Sequence, residues 1–597
     1  MITSNIFFLT ILLISFTINH ISTKRCFRKE HLINLSNYTY PSPTSNDHTT
    51  VAILNTNDIH GFAYKQDIKL GNDTYYISGL ENLGGYILAL RTEFKKNFLW
   101  LDSGDQFSGT FESKLTDGKI VADILNSLGL DAATIGNHEF DWGNEKMNRL
   151  LKQAKFPYIG NNIIRKDQKK LNIENYIKYK IFNVENGIRI GVTGITTVLT
   201  PQTTSGDTTP FIFLEYKELI VKYAKKLRDE GANLVILLSH SGIDCQSRNP
   251  SINDYLKLRL TTLNDDVGIC TGNEIFDLIN ILPENTIDAV YAGHVHKDAH
   301  SFYKGIPILQ NNFHAINVNV GYFSFDKKTK KYIKAKTVIE GPIPICSRIF
   351  SKSSKCNVFD NKIPLEKIFQ ENGNLSNFTF HGHKITPLQS VETILKAYRQ
   401  DIEDAKNQTI FNLNFEMKRE SDFNSPLSNF ACDMAKNITK TDFCILNQGM
   451  FRGIWYPGNV SYYKYYEMFS LVNELVVFQV TGSKLKQIMK IINCGKLAFY
   501  GTSGLTSFVK KTPKKCLVNL KESDGKEIDD KKTYSVASIN FLIKGGDDFA
   551  DVVKVFKINA TENYGEFRDI TIDYLKMHPF ITREMVAHLK DPSLIFV

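Results

Sequence analysis

"TVAILNTNDIHG", Thr50 to Gly61, is an apolar run that ends on an acid and an imidazole. Four later stretches repeat that plan: "NFLWLDSGDQFSG" (Asn97 to Gly109), "DAATIGNHEFDWG" (Asp131 to Gly143), "NLVILLSHSG" (Asn233 to Gly242) and "IDAVYAGHVHK" (Ile287 to Lys297). Apolar runs of this length are what buried strands contribute, and stretches with helical periodicity lie between them. The alternation predicts an α/β fold of sandwich type. Each run ends in Asp, Asn or His, and α/β sheets gather their functional groups beyond the carboxyl ends of the strands. Five separate segments should therefore converge on one rim.

The groups on that rim are Asp58 and His60, Asp105, Asn137 with His138, His240, and the pair His294 and His296. Alternation on extended chain turns both members of a D-x-H or H-x-H pair the same way. Taken singly, each residue fits a turn or a cap. Together, seven oxygen or imidazole ligands (Asp58, His60, Asp105, Asn137, His240, His294 and His296) in strand-end positions suit a dinuclear divalent centre with a bridging carboxylate. No thiolate takes part, which argues against a structural zinc site.

The chain has 597 residues, too many for one core, so two domains are expected. The first α/β domain is placed at 50–343. An irregular linker or insertion with a connecting helix follows at 344–408, then a second α/β domain at 409–597. The formal charge of +9 is spread thinly, with short lysine clusters at Lys327–Lys331 and Lys510–Lys515 that read as solvated turns. No nucleic-acid polymer is expected as a partner, although a basic balance favours an anionic substrate.

The apolar run from Ile6 to about Phe16 is too short to span a bilayer and reads as a signal peptide over 1–23, cleaved near Ser22. No Lys or Arg precedes it, so an uncleaved anchor is the alternative. Residues 24–49 form an N-terminal extension. Nine N-x-Ser/Thr sequons, at Asn34, Asn37, Asn72, Asn374, Asn377, Asn407, Asn437, Asn459 and Asn559, agree with export. In an oxidising compartment the nine cysteines are potential disulfides. Proximity suggests Cys245–Cys270, Cys346–Cys356, Cys432–Cys444 and Cys494–Cys516, with Cys26 left over. The C-terminal "HLKDPSLIFV" carries no lipid-anchor signal. The expected product is a secreted, soluble glycoprotein.

In this order, D-x-H, G-D, G-N-H-E, H and G-H-x-H resemble the calcineurin-like metallophosphoesterases, and the finer text of the motifs resembles the 5′-nucleotidase family, which includes secreted nucleotidases and apyrases. The resemblance runs from Thr50 to about Phe549. It implies a four-layer α/β-sandwich metallophosphoesterase domain joined by a helix to an α/β nucleotide-binding domain. Asp58, His60 and His296 would hold the first metal, Asn137, His240 and His294 the second, and Asp105 would bridge them. Zinc leads, with manganese, magnesium, cobalt or calcium as alternatives. His138 and Asp141 resemble the catalytic dyad; Glu139 and Phe140 are assigned to turn structure and packing.

In the second domain, "CILNQGMFRG" (Cys444 to Gly453) and "SINFLIKGGDDF" (Ser538 to Phe549) resemble the family's N-G-G-G-I-R and N-F-L-x-x-G-G-D motifs. The resemblance makes Asn447 and Arg452 contacts to phosphate or ribose, Phe541 one of two aromatics that sandwich the base, and Asp547 a ribose acceptor. Gln448 and Met450 replace motif glycines. Leu471 stands where the family has its other phenylalanine, with Phe469 the alternative two residues earlier. Arg419, beside Lys418, is a candidate extra phosphate arginine. The implied activity is hydrolysis of nucleoside 5′-monophosphates such as AMP. The alternatives are an apyrase acting on ADP and ATP, and an inactive nucleotide binder. A homodimer is compatible with all three.

Overall fold

The computed structural model describes residues 40–597, apart from 71–72, 168–170, 172–174, 246–259, 262–269, 272–273, 354–355, 357–364, 419–424, 452–453, 470–471, 496–499, 513–514, 548, 586–593 and 597. The segment expected to be a signal peptide, Cys26 and the sequons at Asn34, Asn37 and Asn72 lie outside the described residues, as do Arg419, Arg452 and Leu471.

Two sheets stack face to face in the N-terminal half. One has eight strands, with Asn317–Asp326, His48–Thr56, Phe98–Asp102, Ala132–Ala133 and Tyr158–Ile159 side by side. The other has six, in which Arg189–Thr196, Leu234–His240 and Ala289–Ala292 run parallel. Alternation along each strand divides its side chains between two cores. Val51 and Ile53 meet Ile190, Val192, Leu234 and Ile236 between the sheets. Ala52 and Leu54 face outward onto the helices Leu80–Phe94 and Lys119–Leu128. On the far side, Val235 and Leu237 pack against the helices Lys217–Asp229 and Glu274–Ile281. The result is four layers, helix, sheet, sheet and helix, and because both faces of these strands are buried their sequences read as continuous apolar runs.

The helix Gln389–Asn407 follows. Its apolar stripe, Val391, Leu395 and Ile402, belongs to the first domain's outer core, so the connector is fastened to that domain. Beyond it, a five-stranded sheet sets Phe443–Asn447 between Tyr500–Ser503 and Thr533–Ile539, with Glu474–Thr481 and Glu562–Glu566 next. The helix Pro426–Thr439 packs on this sheet; it begins with Pro426 at its first position and Ser425 as cap. The two domains touch directly. Phe111 meets Tyr462, Tyr463 and Tyr466 edge-on, Tyr466 Oη donates to Thr110 O at 3.0 Å, and Lys114 pairs with Glu566.

Cys346–Cys356 and Cys494–Cys516 are disulfides. Cys245 and Cys270 stand opposite each other in a two-stranded ladder. The expected Cys432–Cys444 bond is absent. Both are buried thiols, their sulfurs 2.7 Å apart, because the helix Pro426–Thr439 lies along the strand Phe443–Asn447. Among the described residues no helix is long and apolar enough to cross a membrane.

Candidate functional site

Parallel strands end together, so their following loops meet at one rim. Thr56 pairs with Asp102 in register, and Thr196 with His240. The rim carries two groups of ligand atoms: Asp58, His60, Asp105 and His296 form one, and Asp105, His240 and His294 the other. Within each group the atoms lie within 4.8 Å of one another, and Asp105 is common to both. Asn137 joins the second, its Oδ1 2.9 Å from His240 Nε2; its Nδ2 donates to Thr203 O, which fixes which end faces the site.

Five of these residues adopt left-handed backbone: Asp58 (φ 50°), His60 (51°), Asp105 (58°), His294 (82°) and His296 (56°). Each non-glycine residue there costs on the order of 1 kcal/mol, and such strain collects where side chains must be aimed. Gly136 allows a close approach: a Cβ on it would stand 2.1 Å from Asp105 Oδ1.

The donor set fits divalent cations. His60 donates from Nδ1 to Ser108 O (2.8 Å) and His240 from Nδ1 to Ser103 O (2.6 Å), which leaves each Nε2 as a lone pair turned inward. Each Nε2 faces another candidate ligand atom. His60 Nε2 is 2.8 Å from His296 Nε2, and His240 Nε2 is 3.0 Å from Asp105 Oδ2, a buried oxygen that accepts no hydrogen bond among the described residues. Facing lone pairs repel unless positive charge lies between or beside them. The same charges bias the protonation of the cluster. Burial opposes ionisation of Asp105, yet His240 and His138 hold it well below the usual carboxylate range. Burial pushes His60 down to about 4. His240 rises to about 9 against its burial because of Asp105, so its Nε2 takes a proton wherever no cation claims that lone pair.

Beside this cluster, His138 Nδ1 is 2.7 Å from Asp141 Oδ2. Asp141 is fully engaged: Ser108 Oγ donates to Oδ2 at 2.8 Å, and Thr204 Oγ1 (2.8 Å), Ser205 Oγ (3.1 Å) and Ser205 N (3.2 Å) donate to Oδ1. Although burial works the other way, Asp141 and Asp105 raise His138 to about 10. Its other nitrogen, Nε2, is left for the cleft that His138 lines.

That cleft, about 1440 Å³, runs between the domains. Opposite His60, His138 and His296 it is lined by Asn447, Phe541 and Asp547. Asn447 ends the strand Phe443–Asn447 and donates to Asp547 Oδ2 at 2.6 Å; its Oδ1 is buried without a partner among the described residues. Phe541 packs closely on Gly546, where a Cβ would fall 2.3 Å from the ring. Phe469 is not the second aromatic wall. It is buried in the core against Phe451, Tyr465 and Phe567, while Val472 and Asn473 face the cleft.

Residues 51–298 match the calcineurin-like phosphoesterase family, and residues 403–554 match the 5′-nucleotidase C-terminal domain. The NAD 5′-nucleotidase of Haemophilus influenzae is 23% identical over 92% of this chain and 94% of its own. The snake venom 5′-nucleotidase of Naja atra is 37% identical over 33% of this chain and 38% of its own. In fold, a 5′-nucleotidase precursor from Thermus thermophilus aligns with a TM-score of 0.59 and 19% identity, covering 89% of this chain and 97% of that one. The chain belongs to the 5′-nucleotidase family. It spans 33% to 38% of the length of several curated relatives that it matches.

Members of the metallophosphoesterase family use divalent metals, and the two groups above are where this nucleotidase-family chain could hold them. One residue does more than was read from its position. Glu139, assigned to turn structure, receives the N–H groups of Asp105 (3.0 Å), Gln106 (2.7 Å) and Gly136 (2.6 Å), and so clamps the loop bearing Asp105 to the loop bearing Asn137. Thr204, Ser205 and Ser108 were not singled out at all. Hydroxyl groups in loops have no spacing that marks them as partners of a distant carboxylate.

Proposed function

We propose that the chain is a secreted phosphohydrolase that converts nucleoside 5′-monophosphates such as AMP to nucleoside and phosphate. One observation carries this reading: a single cleft has His60 and His296 of the first ligand group and the His138–Asp141 dyad on one wall, and Asn447, Phe541 and Asp547 on the other. Asp58, His60, Asp105 and His296 would hold one cation and Asp105, Asn137, His240 and His294 the other, with zinc the first choice for this mixed imidazole and oxygen set. When bound, the two cations supply Lewis-acid neutralisation of phosphoryl charge and hydroxide at neutral pH.

The rest falls to the chain's own residues. Asp141 fixes the proton on His138 Nδ1 and sets the ring. His138, kept protonated by the carboxylates around it, donates from Nε2 to oxygen that gains charge as the phosphorus–oxygen bond breaks. The nucleoside leaves as its alcohol. Asn447 and Asp547 offer an amide and a carboxylate to the sugar, and Phe541 offers a face to the base.

Six sequons fall on described residues (Asn374, Asn377, Asn407, Asn437, Asn459 and Asn559), and every one of those asparagines is exposed, which supports export and glycosylation. A second reading, hydrolysis of ADP and ATP, is favoured by the size of the cleft, which extends past His314 to Tyr64 and Glu112. Phosphate release from AMP, ADP and ATP, with and without a chelator, separates the two. Release from AMP alone supports the first reading, release from ADP and ATP the second, and chelator-insensitive release overturns both.

Replacing Phe541 with alanine should raise KM for AMP about tenfold and leave kcat within about threefold, since base–aromatic stacking contributes roughly 1–3 kcal/mol. Initial rates against AMP concentration check this, with 4-nitrophenyl phosphate, which has no base, as the insensitive control.

A further inference from the structure

The loop after the short helix Thr200–Thr203 touches both domains. Its inward side holds the dyad acid: Thr204 Oγ1, Ser205 Oγ and Ser205 N all donate to Asp141 Oδ1, and Thr203 O receives Asn137 Nδ2. Gly206 presses the loop against the dyad turn, since a Cβ there would stand 1.8 Å from Phe140 O. Its outward side meets the second domain. Ser205 O accepts from Asn540 Nδ2 at 2.6 Å and from Lys544 Nζ at 3.2 Å, and Lys544 Nζ also reaches Gly206 O (2.9 Å) and Thr204 O (3.4 Å).

Two peptide groups are thus gripped at both ends. In the Thr204–Ser205 peptide the oxygen takes Lys544 and the N–H points to Asp141. In the Ser205–Gly206 peptide the oxygen takes Asn540 and Lys544, and the N–H donates to Thr204 Oγ1 (3.1 Å), which in turn donates to Asp141. Hydrogen bonds in such chains polarise and orient one another. Lys544 is partly buried and makes no ion pair among the described residues, so its ammonium is committed to these carbonyls. On the second domain, Asn540 opens the short helix Asn540–Ile543, and its neighbour Phe541 lines the cleft.

We propose that Asn540 and Lys544 are positioning residues that couple the seating of the second domain to the orientation of Asp141, and through it His138, by way of the loop Thr203–Gly206. Nucleotide contact at Phe541 would thereby be transmitted to the group that donates the proton. The proposal rests on the hydrolase reading above.

A double-mutant cycle on the metal-loaded full chain tests it, with AMP as substrate. Lys544→Met should lower kcat about tenfold in the wild-type background and by less than about twofold in the Asp141→Asn background, because coupled residues in one hydrogen-bonded network are non-additive. Lys544→Arg, which keeps donors for the carbonyls, should restore most of the loss. Equal losses in both backgrounds, or no loss in the first, would overturn the coupling. Should Lys544→Met unfold at lower temperature than the parent, Asn540→Ala carries the same cycle with the same expected pattern. A wild-type protein silent towards AMP, ADP and ATP alike overturns the hydrolase reading and the coupling with it, whereas an active wild type without non-additivity overturns the coupling alone.

Discussion

Asp105→Ala should lower phosphate release from nucleotides by at least ~10³-fold, a loss larger than that from deleting one hydrogen-bond donor to the reacting group. Asp105 is the carboxylate common to both ligand groups, and it stands 3.0 Å from His240 and 3.8 Å from His60. Removing it takes away the charge that holds two imidazole clusters together and the ligand that two cations would share. Elemental analysis of the purified variant should find fewer than two divalent ions per chain, and added metal should not restore turnover. Asp105→Asn keeps the shape and loses the charge, so it should fail in the same way. Turnover within about tenfold of the wild type in either variant would remove the dinuclear site from the mechanism.

His138→Gln should cost about 10³ in kcat and change KM for AMP only a few-fold, in line with the contribution of a positioned general acid. The glutamine is polar and of similar reach but carries no proton that it can give up at neutral pH. Unlike Asp105, His138 is outside both ligand groups, so this variant should retain its full metal content. That separation is the useful part of the comparison. Lost activity with lost metal indicts the cage, and lost activity with metal retained indicts the proton donor. Asp141→Asn should fall between the wild type and His138→Gln, because the amide can still contact the ring but no longer favours the charged imidazole.

Much of the candidate site was legible because its candidate ligands are of rare types in local, repeated contexts. Asp58, His60, Asp105, Asn137, His240, His294 and His296 each follow an apolar strand, and a strand's buried periodicity is visible without knowing what it packs against. The chemistry of an imidazole or a carboxylate is likewise a property of the residue. These two facts were enough to assign the α/β class, the rim and the donor set.

Other features needed the folded chain. The partnerships of Glu139 with three N–H groups, and of Lys544 and Asn540 with carbonyls of Thr204, Ser205 and Gly206, join side chains to main-chain groups that every residue possesses. No residue type marks a carbonyl as a partner across several hundred positions. Packing decided the rest: Phe469 turned into a core and Cys432 stayed a thiol beside Cys444, since direction and distance are set by how the helices lie on the sheet. Sequence alone determined which imidazoles, amides and carboxylates stand at the strand ends and where each strand delivers them, because both are local. Tertiary structure alone decided how the two domains close on each other and what holds the dyad in place, because those contacts exist only once distant backbones meet.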